Sequence, residues 1–275
     1  MAQINFTKMH GTGNDFVVID CLSQAINNRQ ELARTMCARK FGIGADQLIL
    51  ICSSETGDYS MEIYNPDGSH VEMCGNALRA VALYAKKYMG DKKESIQIET
   101  LGGTTHASVK NKLVTVNVGP PSFNPEDIGL NHTSSLIGQK YSFSKTIERK
   151  VTCVSMGNPH CIQIVKDTAN CLLETEGPII EHHTLFKNRT NVEFIEIISS
   201  SEVNMRVWER GTGETLACGS GACAAAAALI QNGLTERSIR VNLKGGVLNI
   251  EWRKDDNCIY MTGPATFVYD GVWQS

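Results

Sequence analysis

Short runs of β-branched and alternating residues recur along the chain. They predict strands at Phe16–Asp20, Leu48–Cys52, Met61–Tyr64, Ile96–Thr100, Leu113–Val118, Cys161–Val165, Val192–Ile198, Asn204–Trp208, Ile239–Leu243 and Val247–Trp252. Helical patterns are fewer. Glu31–Arg39 predicts a short helix, and two longer helices start after Cys74 and Cys218. Those two stop at Gly90 and Gly233, glycine being the usual terminator. Both are apolar on several faces, through Leu78, Val81, Ala82 and Ala85 in one and Ala222–Leu229 in the other. A helix apolar all round is buried, so each is expected inside its own sheet. Runs of strands, without regular strand–helix alternation, give an α+β class (α/β in broad schemes).

Self-similarity organises these elements. Gly13-Asn14 recurs as Gly157-Asn158, Gln47 matches Asn191, Asn65 matches Glu209, and Cys74-Gly75-Asn76 matches Cys218-Gly219-Ser220, all at an offset of 144. Gly119-Pro120 and Gly263-Pro264 close the two copies at the same offset. The chain therefore reads as two pseudo-symmetric lobes from an internal duplication, each a mixed sheet wrapped around a central helix. The N-terminal lobe is 1–119, with the tail 264–275 returning to it. The C-terminal lobe is 120–263, including a linker at 120–144 marked by Pro120, Pro121, Pro125 and Gly129. Equivalent sites of two such lobes are expected to face one another across a cleft, a common place for ligands.

Composition narrows the function. The 275 residues are 42% hydrophobic and 20% charged, enough apolar material for a core in each half. With 26 basic and 29 acidic side chains the net charge is −3, and no basic stripe marks a nucleic-acid partner. The longest apolar runs, around Leu48–Cys52 and Cys223–Ile230, are too short to span a bilayer. The first residues lack the apolar segment of a signal peptide, so the expectation is a cytoplasmic protein without membrane partners. None of the ten cysteines forms a C-x-x-C pair, and no metal-ligand spacing appears. Cys52, Cys161 and Cys171 lie in apolar surroundings and read as small buried hydrophobes.

Cys74 and Cys218 read differently. Each precedes a helix start, where unpaired N–H groups and a partial positive charge are expected to lower a thiol's pKa. The amides of Gly75-Asn76 and Gly219-Ser220 then form an anion site suited to a carboxylate or phosphate. Two matched thiols flanking one carbon describe a racemase or epimerase. One thiolate removes an α-proton, the other thiol delivers one from the opposite face, and the amides stabilise the developing enolate-like charge. Taken singly, Asn14 is an ordinary turn residue, His160 an ordinary structural histidine and Glu209-Arg210 a solvated pair. The common offset raises them together.

The motifs Lys8-Met9-His10-Gly11-Thr12-Gly13-Asn14-Asp15-Phe16, Asn65-Pro66-Asp67-Gly68-Ser69 through Cys74-Gly75-Asn76, Ser155-Met156-Gly157-Asn158-Pro159-His160, and Glu209-Arg210-Gly211-Thr212-Gly213-Glu214-Thr215 through Cys218-Gly219-Ser220-Gly221 resemble the diaminopimelate epimerase family. The resemblance runs from residue 8 to 223 and on to the Tyr269-Asp270-Gly271 tail. It departs at Ala77-Leu78 and Ala80, where the family often has a glycine and a further non-catalytic cysteine.

The resemblance implies an epimerase without cofactor or metal, interconverting L,L- and meso-diaminopimelate on the route to lysine and peptidoglycan. It implies Cys74 and Cys218 as the acid–base pair and a homodimer as the assembly. It implies a substrate shell of Asn14, Gln47, Asn65, Gly75, Asn76, Asn158, Asn191, Glu209, Arg210, Gly219 and Ser220. In that shell Arg210 takes the distal carboxylate, and Glu209 accepts from an ammonium and, with His160, supports the thiols. Rival readings are a proline or hydroxyproline racemase, a thiol redox protein and a two-lobed binding module. The first leaves Glu209 and Arg210 without a purpose, the second leaves the glycine-asparagine loops and the helix-start anion sites unexplained, and the third makes the two cysteines accidental.

Overall fold

The structure is a computed structural model and describes residues 3–274. The chain divides into two compact units, Met1–Asn117 with Thr262–Ser275, and Val118–Met261.

The first unit contains β1 (Gln3–Gly11), β2 (Asn14–Asp20), α1 (Arg29–Cys37), β3 (Gln47–Cys52), β4 (Tyr59–Tyr64), β5 (His70–Val71), α2 (Gly75–Tyr88), β6 (Ser95–Thr100) and β7 (Gly103–Lys110). β8 (Leu113–Gly119) then leads out of the unit. Its strands pair β1–β2–β3–β4–β6–β7–β8, with β2–β3 and β4–β6 parallel and the other steps antiparallel. The parallel steps follow from connectivity. The α1 and α2 crossovers return the chain to the same end of the sheet, as parallel pairing requires. Packed against β1, β2, β4 and β7, α2 lies within the curl of its own sheet. It buries Leu78, Val81, Ala82 and Ala85 there. On the other side of the sheet α1 covers a second cluster that includes Val17, Leu48, Leu50 and Met36.

The second unit opens with α3 (Pro125–Ile128) and β9 (Gln139–Ser142) and continues through β10 (Glu148–Ser155), β11 (Pro159–Ile164), α4 (Leu173–Glu181), β12 (Asn191–Ser199), β13 (Glu202–Glu209), β14 (Gly213–Glu214), α5 (Gly219–Gln231), β15 (Ser238–Leu243) and β16 (Gly246–Trp252). β17 (Ile259–Pro264) leads back, and β18 (Thr266–Gln274) pairs antiparallel with β1 in the first unit. The plan repeats. β11–β12 and β13–β15 are parallel, α5 is enclosed by its sheet, and α4 covers an outer cluster with Cys161, Leu173, Val192 and Phe194. Even the register repeats, Phe16 pairing with Gln47 as His160 pairs with Asn191. The architecture is the expected α+β duplication.

Four details differ from the sequence expectation. Residues 120–144 are no bare connection: they carry α3 and β9 and bury Ile128, Leu130, Leu136 and Phe143 in the second unit's core. The offset slips to 143 at Gly90/Gly233 and Gly103/Gly246, because α5 is 13 residues long against 14 for α2. Cys52 and Cys171 are only half-buried, at the margins of the outer clusters of their units, whereas Cys161 is fully enclosed as expected. Helix α4 carries Gly177 and Pro178 in its interior, which hid it from pattern reading. Yet the residues of α1 shifted by 144 are those of α4, so the repeat itself announces it.

Candidate active site

In both units a cysteine with extended backbone is the N-cap of the enclosed helix, Cys74 for α2 and Cys218 for α5. The first helical bonds run from Leu78 N–H to the Cys74 carbonyl and from Ala222 N–H to the Cys218 carbonyl. The N–H groups of Gly75 and Asn76, and of Gly219 and Ser220, therefore precede the helical ladder. They form the positive end of each helix, a ready anion site.

In the first unit, Asn14 follows Gly13 at the tight β1–β2 turn, where Gly13 sits at φ 91°. Its Nδ2 donates to Asp46 Oδ2 at 3.0 Å, which points Oδ1 back toward α2. There Oδ1 accepts from Asn76 Nδ2 at 3.2 Å and from the Cys74 thiol at 3.6 Å. Asn76 is held in turn by Arg79, a fully buried guanidinium that donates to Asn76 Oδ1 at 2.9 Å and to the Pro264 carbonyl at 3.2 Å. Asp46 is fixed by Arg39, which bridges it to Asp15. Burial raises the Asp15 carboxyl pKa, but its bonds to Arg39 and Lys8 outweigh burial and hold it well below the usual range. Gln47 Nε2 donates to Asn65 Oδ1 at 3.1 Å, and Asn65 Nδ2 donates to Ser69 Oγ at 3.0 Å.

In the second unit, Asn158 follows Gly157 (φ 88°) at the equivalent turn. Its amide is turned the other way. Oδ1 accepts from His160 Nε2 at 2.9 Å, while Nδ2 donates to Ser220 Oγ at 3.4 Å. Ser220 Oγ lies 3.5 Å from Cys218 Sγ, and the Gly221 N–H donates to that sulfur at 3.3 Å. Burial, reinforced by the charge of Glu209, pushes the Cys218 thiol well above its ordinary value, although Ser220 and Gly221 pull it down. The helix start thus does not prevail at Cys218 as expected from sequence; desolvation does.

His160 does not reach the thiol directly. Its Nδ1 lies 2.6 Å from Glu193 Oε1. Asn191 spends its amide on the backbone, donating to the Pro159 carbonyl at 3.0 Å and accepting the Arg210 N–H at 2.9 Å. The Arg210 guanidinium donates to the Asn188 carbonyl at 3.3 Å, and Thr215 hydrogen-bonds Glu209. Sequence reasoning missed Asp46, Arg79 and Glu193. One signal was available: Glu193 interrupts the apolar strand Asn191–Ser199 two residues after Asn191, on the same face. Among the described residues no group of metal-ligating side chains forms, and no helix is long and apolar enough to cross a membrane.

The fold is shared with solved proteins at low identity. A hydroxyproline epimerase from Agrobacterium vitis, with bound trans-4-hydroxy-L-proline, aligns over 98% of this chain and 92% of its own, at TM-score 0.71 and 13% identity. A phenazine biosynthesis protein of the PhzF family from Enterococcus faecalis aligns over 100% of both chains, at TM-score 0.70 and 13% identity. These likenesses fix the fold class, the duplicated α+β architecture found in that amino-acid epimerase. The profile of the family described as diaminopimelate epimerase matches residues 6–124 and 152–268. Proteins named diaminopimelate epimerase from Acetivibrio thermocellus and Methanococcus maripaludis (strain C6) are 46% and 45% identical over 273 residues, covering 98% of this chain and 98% and 99% of theirs. The chain belongs to the diaminopimelate epimerase family and is an isomerase.

Proposed function

We propose that this enzyme interconverts L,L- and meso-diaminopimelate, without a cofactor, by proton transfer at one α-carbon between Cys74 and Cys218. The observation that carries this reading is the matched placement of one thiol per unit at the N-cap of a buried helix, beside amides outside the helical ladder. The helix-start amides hold the α-carboxylate and take up the negative charge that develops when the proton leaves. Cys218, protonated at neutral pH by its burial, delivers a proton. Cys74 is then the base for one configuration, and the roles reverse for the other. Glu209 accepts from the substrate ammonium, and Arg210 pairs with the distal carboxylate, so substrates lacking that group lose orientation at the reacting carbon. Asn14, Gln47, Asn65, Asn158 and Asn191 shape the remaining polar shell.

The reading also places the enzyme in the cytoplasm, as a homodimer, in the supply of lysine and peptidoglycan precursors. It rests there on the family. The testing experiment follows α-proton exchange in deuterated water. Exchange with diaminopimelate and none with proline or lysine supports the reading; exchange with proline and none with diaminopimelate overturns it.

A further inference from the structure

Glu193 and His160 are both fully buried, and His160 stands between Asn158, met by Nε2, and Glu193, met by Nδ1. Such a pair is costly to bury, so its geometry is informative. His160 Nε2 meets a carbonyl oxygen, Asn158 Oδ1, and must therefore carry its hydrogen. The 2.6 Å contact from His160 Nδ1 to Glu193 Oε1 holds one proton as well. Burial raises the Glu193 carboxyl pKa against the pull of His160, in the direction of an acid that donates to Nδ1. Glu193 Oε2 is buried without a hydrogen-bond partner, a lesser cost for an acid's carbonyl than for a carboxylate. The site is built around this carboxyl: a Cβ on residue 221 would lie 2.8 Å from Glu193 Oε1, so Gly221 leaves it room beneath the helix start.

We propose that Glu193 is a positioning residue for the reaction: through His160 it fixes the Asn158 amide with its N–H toward Ser220, so that Cys218 is met by hydrogen-bond donors. The proton order is Glu193 to His160 Nδ1, His160 Nε2–H to the Asn158 carbonyl, Asn158 N–H to Ser220 Oγ, and Ser220 O–H toward Cys218 Sγ. This arrangement supports the sulfur when it carries charge. It also leaves the Asn158 carbonyl, which would repel a thiolate, turned away. The inference rests on the two-thiol reading above.

The test is a double-mutant cycle on diaminopimelate epimerisation. Glu193→Leu removes the partner of Nδ1 and should lower kcat/KM roughly 10–100-fold, the range expected when an orienting group is lost. Glu193→Gln can donate its amide N–H to Nδ1 and should stay within about threefold of wild type, as the isosteric donor it provides. On an Asn158→Ala background Glu193→Leu should cost less than about a further twofold, since its effect passes through Asn158. Losses that multiply, an active Glu193→Leu enzyme, or a Glu193→Gln enzyme as slow as Glu193→Leu would each overturn the proposal. ¹⁵N-histidine NMR of the wild-type protein needs no variant: a protonated, slowly exchanging His160 Nε2 is expected, and a bare Nε2 contradicts it. Cys74→Ala and Cys218→Ala separate the two levels. If both remain active, the two-thiol reading itself fails; if both are dead and the cycle is multiplicative, only the role of Glu193 fails.

Discussion

Phe16 and Ile49 of the first unit occupy the register positions that His160 and Glu193 hold in the second, and all four are 0% exposed. One unit fills the space between its sheet and its helix start with hydrocarbon, worth about 1.5–3 kcal/mol per side chain. The other fills it with a polar pair that gains little or nothing in stability. The asparagine at the neighbouring turn then follows a different master. Asp46 pulls the Asn14 N–H away from the helix and leaves a carbonyl facing Cys74, whereas His160 takes the Asn158 carbonyl and leaves an N–H facing Ser220. A duplicated backbone has thus been given two sites of opposite polarity. The lesson is that pseudo-symmetry of the fold fixes where the thiols stand, while the residues behind them decide what each sulfur meets.

The comparison breaks most sharply at the thiols. Cys74→Ala and Cys218→Ala should each abolish epimerisation with little change in Tm, a loss beyond the ~10²–10⁴ typical of one acid–base group. Steady-state assays of the purified variants decide it, and near wild-type turnover in either contradicts the account.

Next in size is a transplant. The double substitution His160→Phe with Glu193→Ile gives the second unit the first unit's hydrocarbon pair. We expect Tm to hold or rise, because a buried polar pair replaced by apolar residues is often neutral or stabilising. Over the same change kcat/KM should fall by about 100-fold as Asn158 loses its anchor. A melting curve with the kinetic assay reads both. Arg210→Met should cost at least about tenfold in kcat/KM, in both kcat and KM, since distal binding energy orients the α-carbon. Normal kinetics there would remove the basis for substrate selection.

A pH series sharpens the electrostatic side. The Cys218 pKa is raised, so the thiol is protonated at pH 7 and its thiolate fraction grows about tenfold per pH unit. Its alkylation by iodoacetamide should keep rising past pH 9; a plateau by pH 8 would mean the helix start prevails over burial. The smallest effect concerns the outer helices. Ala33 in α1 corresponds to Gly177 in α4, where a Cβ would lie 2.7 Å from the Trp208 ring. Gly177→Ala should destabilise by ~1–3 kcal/mol through overpacking, although alanine is the better helix former. Ala33→Gly should cost ~1 kcal/mol or less through backbone freedom plus a lost methyl. Denaturant melts compare the two.

Much of this was legible in the sequence, and the reasons are physical. The central helices were visible because they are apolar on several faces, and their N-caps because the same cysteine-glycine step occurs twice. Residue periodicity found β2, β3, β4, β6, β8, β11, β12, β13, β15 and β16 but missed the other strands, among them β1, which mixes buried Thr7 and Lys8 with apolar neighbours, β17, a short run ending at Gly263-Pro264, and β18, whose residues are mostly exposed. Arg79 and Glu193 stayed hidden because a charge inside an apolar run reads as noise until its partners are known. Those partners, Asn76 and His160, come from elsewhere on the helix or from the next strand. Amide orientation could not be read at all, since it depends on which donors and acceptors surround each asparagine.

The central claim is that one thiol removes the proton and a different thiol returns another. The most direct measurement is epimerisation of L,L-diaminopimelate in deuterated water, stopped early and analysed by mass spectrometry. Because thiol protons exchange with solvent, the account predicts that the first meso product carries deuterium at the inverted carbon while the remaining L,L substrate carries almost none. First product that retains the original hydrogen, or substrate and product that gain deuterium in step, would mean a single base serves both faces and would contradict the account.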